Sequence, residues 1–245
     1  MSKEHKESRN RFRITGWTDH GTYMLLALLV LIIGLGFLGR TGSDPGVSRV
    51  KSEIRNLGTA IRAYKQEYGQ FPISPTAERI SRDTTGSHTY GWQAESPGMS
   101  TTPSNAELMA LLMAMETFPD GAPVLVNLKG NRNPRKIRFL DARMAADNDS
   151  RGIGLDGNYR DPWGNPYVVT LDLKGDGYCF DPVLSQPSVA SRLPQNALAH
   201  ARTNHQGMIE FRGEILIWSR GPDGMADPTR PSDEGVNRDN VIDWF

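Results

Sequence analysis

Arg49–Pro72 reads RVKSEIRNLGTAIRAYKQEYGQFP. Its apolar residues Val50, Ile54, Leu57, Ile61, Tyr64 and Tyr68 are spaced by alternating steps of four and three. That spacing places all six on one stripe of an α-helix. Lys51, Glu53, Arg55, Arg62, Lys65 and Glu67 are expected mostly on the polar side. Gly69 supplies a left-handed stop, with Pro72 just beyond. Upstream, the GSDPG stretch at Gly42–Gly46 is a break. There Asp44 can cap the helix and Pro45 fits its first turn. A helix with one apolar stripe needs a partner layer. The rest of the chain is expected to supply a small antiparallel sheet, giving an α+β fold. An ordinary amphipathic helix in an unrelated α+β domain has the same periodicity.

Downstream, Ile73–Pro103 is rich in Ser, Thr, Gly and Pro and reads as a long surface loop, with Tyr90 and Trp92 as tacks to the core. Ser104-Asn105-Ala106-Glu107 has the form of a capping box, followed by a helical stripe at Leu108, Leu111, Leu112 and Met115 that ends near Pro119. Met109, Met113 and Met115 read as core filler. The basic stretch Asn127–Arg138 carries Lys129, Arg132, Arg135 and Lys136, read as a solvated face rather than an anion site. Ile137–Met144 fits either strand or helix.

Val168–Leu173 and Tyr178–Phe180 read as a hairpin across the turn Lys174–Gly177. Asp172-x-Lys174-x-Asp176-Gly177 mimics half an EF-hand loop, but Lys174 stands where an oxygen ligand is needed. A helical turn is expected at Gln195–Ala201. Ile209, Phe211, Ile215 and Ile217 alternate as in one half-buried strand, with Gly213 as a bulge. His200 and His205 have no third ligand near them in sequence, which argues against zinc. Trp244-Phe245 is expected to tuck into the core.

The 245 residues carry 28 basic and 28 acidic groups, so no global field points to nucleic acid. The single cysteine, Cys179, cannot form an intramolecular disulfide and reads as a small buried hydrophobe. Tyr23–Leu38 is sixteen residues without a charge, and Gly21–Gly39 extends this to nineteen. At about 1.5 Å per residue such a helix reaches roughly the thickness of a bilayer core. Arg9, Arg11 and Arg13 precede it, which keeps the N-terminus cytoplasmic and exports the bulk. A cleaved signal peptide is the competing reading, but no A-x-A site follows the apolar run. No nucleophile–base grouping and no phosphate-cradling glycine loop stand out, so no enzyme is expected.

Three motifs then fall in order on one chain. AIRAYKQEYGQFP (Ala60–Pro72) ends the helix, DPWGNPY (Asp161–Tyr167) opens the hairpin, and SRGPDG (Ser219–Gly224) precedes DNVIDW (Asp239–Trp244). Together they resemble the major pseudopilin of the type II secretion system, the G-type family of the type IV pilin superfamily. The resemblance covers Val47–Ile73, Asp161–Phe180 and Ile209–Phe245. It implies a pilin-like fold: residues 1–16 a basic cytoplasmic leader, 17–40 a transmembrane helix, and 41–245 a periplasmic domain with an amphipathic helix on a small sheet. Residues from about 74 to 160 would be a long insertion between helix and sheet. Gly16 followed by Trp17 has the layout of a prepilin peptidase cut. The family has a glutamate at the fifth position after its glycine, whereas this chain has Gly21, with Asp19 two residues earlier.

The resemblance also implies function. Such subunits build a filament from the bacterial inner membrane into the periplasm that helps export proteins through the outer membrane. Their partners are copies of themselves, minor pseudopilins, the inner-membrane assembly platform, the prepilin peptidase and the lipid bilayer. They catalyse nothing. The alternative is a membrane-anchored periplasmic adaptor with the same fold that does not polymerise. In the family the C-terminal loop binds calcium. Carried over, the ligands would be Asp223, Asp239 and Asn240, with the backbone carbonyl of Ser219 and others in Gly235–Arg238. Carboxylate, amide and carbonyl oxygens are what a hard cation selects.

Overall fold

A computed structural model describes residues 44–92 and 104–243, which belong to one compact unit. The leader, the apolar segment, the Gly16–Trp17 junction and Trp244-Phe245 lie outside the described residues. Among the described residues no helix is long and apolar enough to cross a membrane.

Helix α1 (Pro45–Tyr68) begins where Asp44 accepts from the Gly46 amide at 2.8 Å. It stops at Gly69, whose φ of 70° is left-handed and whose amide donates to the Lys65 carbonyl. Val50, Ile54, Leu57, Ile61 and Tyr64 are fully buried, and Tyr68 is partly so. Truncating Leu57 to Ala would cost about 2–5 kcal/mol. One residue departs from the expected face. Glu53 is buried, where Arg151 pairs with its Oε1 at 2.6 Å and the Tyr167 hydroxyl donates to its Oε2 at 2.6 Å. A buried carboxylate is tolerated when two donors meet it.

The segment expected to be an insertion is woven into the fold. Helix α2 (Pro75–Asp83), capped by Ser74, leads into strand β1 (Ser87–Tyr90), an edge of the main sheet. Ile73 and Tyr90 are fully buried. Helix α3 (Ala106–Leu112) buries Leu108, Met109, Leu111 and Leu112 in the α1 core. It ends well before Pro119, and its capping box does not form. Glu107 instead accepts from the Ser74 amide at 2.9 Å and from the Tyr90 hydroxyl at 2.7 Å. A 3₁₀ turn (Leu125–Gly130) follows, and Ile137–Met144 runs without regular structure, contributing only a bridge from Met144 to Ile153.

Buried asparagines hold these irregular stretches. The Asn105 amide donates to the Tyr159 and Tyr167 carbonyls at 3.0 and 2.9 Å, and accepts from the Tyr159 amide. Strands β2 (Gly152–Ile153) and β3 (Tyr159–Arg160) pair beside them.

The main sheet is antiparallel, β1-β4-β8-β9, with β4 at Val168–Asp172, β8 at Ile215–Ser219 and β9 at Val241–Ile242. It is buried on both faces, which corrects the half-buried expectation. Val169, Leu171, Ile215 and Ile217 face α1, while Val168, Leu216 and Trp218 alternate onto a second core. That core is closed by Val183, Leu184, Val189 and Leu193 from a loop carrying short helices α4 (Pro187–Ala190) and α5 (Gln195–Leu198). Cys179 is buried in it, and burial pushes its thiol well up.

Two further strand expectations are corrected. Strand β5 (Tyr178–Cys179) does not pair with β4. It joins β7 (Ile209–Arg212), which also pairs β6 (Arg202–Thr203) in a separate three-stranded sheet. The intervening turn is held by Asp172, whose carboxylate accepts from the Gly175 and Gly177 amides at 2.9 and 2.8 Å. Met208–Ser219 is likewise two strands in two sheets, not one strand with a bulge. The chain changes sheet at Gly213, whose φ of 149° is glycine territory.

Candidate cation site

The site lies after β8, toward the N-terminal half of α1. Ser219 ends β8, and its hydroxyl donates to Asp161 Oδ2 at 2.5 Å. The other Asp161 oxygen accepts from the Trp163 and Asn165 amides, both at 2.9 Å. Burial raises the Asp161 pKa, and its hydrogen bonds and the nearby Arg220 charge oppose that shift. The DPWGNPY turn is therefore built around its own aspartate and fastened to the end of β8. Asn165 Nδ2 reaches across to the Gly221 carbonyl at 2.8 Å.

Two glycines allow this closeness. Gly221 and Gly224 both have φ of 68°; a Cβ on Gly221 would lie 2.2 Å from the Asp239 carbonyl oxygen, and one on Gly224 would lie 2.5 Å from Asn165 Oδ1. The motifs at 161–167, 219–224 and 239–244, far apart in sequence, thus meet through their described residues. The rest of the loop is stapled by buried Asn237. Its Nδ2 donates to the Asp227 and Arg230 carbonyls at 2.8 and 3.0 Å, and its Oδ1 accepts from the Asp227 amide.

One carboxylate oxygen in this closed loop is left over. Asp239 Oδ2 accepts from the Asp223 amide at 3.3 Å, while Asp239 Oδ1 is buried and has no hydrogen-bond partner. At the next residue the Asn240 amide lies against the Arg220 and Met225 carbonyl oxygens at 3.2 and 3.3 Å. The amide has two isosteric orientations. With nitrogen toward the carbonyls it donates to both; with oxygen toward them it adds to a set of oxygens with no proton among them. The first arrangement satisfies the amide without an ion, so the oxygen that asks for a cation is that of Asp239.

The sequence-expected residues are distributed as follows. Asp223, Asp239 and Asn240 share the loop, Asp223 through its amide to Asp239 and with its own carboxylate accepting from Met225 N at 2.8 Å. Ser219 is adjacent, but its hydroxyl serves Asp161, and the carbonyl facing Asn240 is that of Arg220, one residue on. The sequence reading expected backbone carbonyls near Ser219 and in Gly235–Arg238; the Arg220 carbonyl is the next one on from Ser219, and that of Met225 escaped it. The signal that pointed to the frame was DPWGNPY, read only as a hairpin opener.

Among the described residues no three His, Cys, Asp or Glu side chains converge on one point. The loop offers two carboxylates plus amide and carbonyl oxygens, a donor set suited to calcium and not to zinc. The unpartnered, buried Asp239 oxygen fits such an ion. Elsewhere, the basic residues of 127–138 do not converge: Arg132 donates to Gln70 and the Ile73 carbonyl, Arg135 pairs with Glu67, and Lys136 pairs with Glu116. His200 and His205 are exposed.

Comparison with family models, curated proteins and solved structures gives no match to this chain.

Proposed function

We propose that this chain is a structural, non-catalytic subunit of a type II secretion filament. In this reading residues 17–40 anchor it in the bacterial inner membrane, and the described unit stands in the periplasm with calcium closing its C-terminal loop. The observation that carries the reading is the meeting of DPWGNPY with the SRGPDG loop around an orphaned carboxylate oxygen, at the end of a sheet covered by one long amphipathic helix. Asp239, Asn240 and Asp223 would hold the ion with the Arg220 and Met225 carbonyls, and waters would complete six to eight oxygens. The ion would neutralise two carboxylates and fix the strand that follows, β9. Copies of the chain, minor pseudopilins, the assembly platform and the prepilin peptidase are its partners in this reading.

Gly21, where the family carries a glutamate, favours a second reading: an anchored periplasmic adaptor that does not polymerise. The intact mass and first residue of the protein from native membranes separate the two. A chain starting at N-methylated Trp17 supports the filament subunit. A chain still starting at Met1 or Ser2 overturns prepilin processing and moves the adaptor ahead.

A further inference from the structure

Gly58 sits in the middle of α1, where alanine would favour the helix by about 1 kcal/mol. Internal packing does not require the glycine. An added Cβ would meet Arg62 Nη1 at 3.4 Å and Ile217 Cδ1 at 3.6 Å, which are ordinary contacts. Above it runs a groove of about 280 Å³ between α1 and β8. Ile54, Ile215 and Ile217 give the groove an apolar floor.

The rim is cationic. Arg55 is matched by Asp243 at 2.7 Å, whereas Arg62 is exposed and, among the described residues, has no ion pair. The opposite sign is displayed on the 220–240 loop. Asp233 and Glu234 are consecutive exposed carboxylates, neither ion-paired nor hydrogen-bonded through its side chain to a described residue.

We propose that this groove is a self-association site that takes the Asp233–Glu234 turn of a second copy, with Arg62 receiving its carboxylates. Groove and turn share no residue, so the contact is heterologous. A heterologous contact repeats as an open chain unless its rotation closes a ring. The inference rests on the filament reading and names one of its contacts. An absent side chain at Gly58 gives an incoming backbone room, the use to which glycine is put where chains approach closely.

The test uses the full-length chain in membranes, with Thr59→Cys on the groove rim and Ser232→Cys beside the turn's carboxylates. Cys179 is buried and its thiol pKa raised, so it stays silent. Oxidation should give disulfide-linked dimers and a ladder of larger species. Adding Arg62→Glu should lower the yield at least tenfold, and Asp233→Arg in the same chain should restore it. Yield unchanged by Arg62→Glu, or not restored by the charge exchange, overturns the proposal. Trapping of a different protein by the thiol of the Thr59→Cys variant, in place of a second copy, overturns it as well. An amine-reactive cross-linker on the unmodified chain keeps the two readings apart. No association at all sinks the filament, while association that survives Arg62→Glu spares the filament and removes the groove.

Discussion

Two polar loops flank the helix-on-sheet core, and their side-chain amides balance differently. In residues 127–138, Asn133 Nδ2 donates to the Leu111 and Ile137 carbonyls at 2.9 and 2.8 Å. Its Oδ1 accepts from the Ile137 amide at 3.0 Å and the Tyr68 hydroxyl at 2.6 Å. Asn127 serves the Met115 carbonyl and the Arg132 and Asn133 amides. The group left over there is a donor, Arg132 Nε. In residues 220–240, Asn237 does the same stapling, but the groups without a hydrogen-bond partner include an acceptor, Asp239 Oδ1. Both loops are closed by buried amides. Only the second keeps a negative oxygen that nothing in the described protein satisfies, and buried unsatisfied groups cost about 1–3 kcal/mol or more.

The largest expected effect breaks the self-sufficient loop. Asn133→Ala removes four hydrogen bonds, leaving the Ile137 carbonyl and amide and the Tyr68 hydroxyl without this partner, and should cost about 3 kcal/mol. For a unit of this size that is a fall of roughly 6–12 °C in Tm. The loss should be the same in calcium and in chelator, measured by thermal unfolding of the full chain in detergent. A loss that calcium repairs would place the ion in the wrong loop.

The second effect belongs to the loop with the spare oxygen. Calcium at a hundred times its Kd should add about 2.7 kcal/mol, seen as a raised Tm. Asp239→Ala should abolish the shift, and Asp223→Ala should reduce or abolish it. In chelator, Asp239→Ala should be nearly neutral, because losing the Oδ2 bond to the Asp223 amide is offset by removing the buried, unpartnered Oδ1. A Tm indifferent to millimolar calcium would sink the site.

The contrast between the loops also marks how far the sequence could be read. The α1 stripe, its Asp44 cap and its Gly69 stop were legible because helix periodicity and cap chemistry are local. Val168–Leu173 was legible as a strand, but its partners were not. Pairing β5 with β7 and placing β1 beside β4 depend on contacts between residues far apart in the chain. Residues 74–160 read as an insertion because the resemblance does not cover them, and Ile73–Pro103 read as a loop because Ser, Thr, Gly and Pro signal one. Nothing in the spacing says that Asn105, Asn127 and Asn133 are buried staples. At the candidate site, Asp223, Asp239 and Asn240 came from a motif, whereas the Met225 carbonyl became visible only with the backbone in place.

A third orphan sharpens the comparison by its surroundings. His88 on β1 is buried, with Nδ1 2.7 Å from the Ser81 hydroxyl, its ring edge-on to Tyr90, and Nε2 without a partner. No oxygen waits beside Nε2 as the carbonyls wait beside Asn240, so the ring is kept neutral, and burial lowers its pKa to about 4. The unfolded chain takes up this proton below its ordinary value of about 6.5, while the folded chain resists until about 4. Between those values the unfolded state binds more protons, so stability falls as pH falls. The loss from this one group should reach about 2 kcal/mol at pH 5. Thermal unfolding from pH 7 to pH 4 checks it: His88→Phe should remove that part of the slope, and calcium should leave it untouched. An unchanged slope in His88→Phe would mean that the histidine is protonated in the fold, and that an orphaned nitrogen in this core finds a partner as the Asp239 oxygen does not.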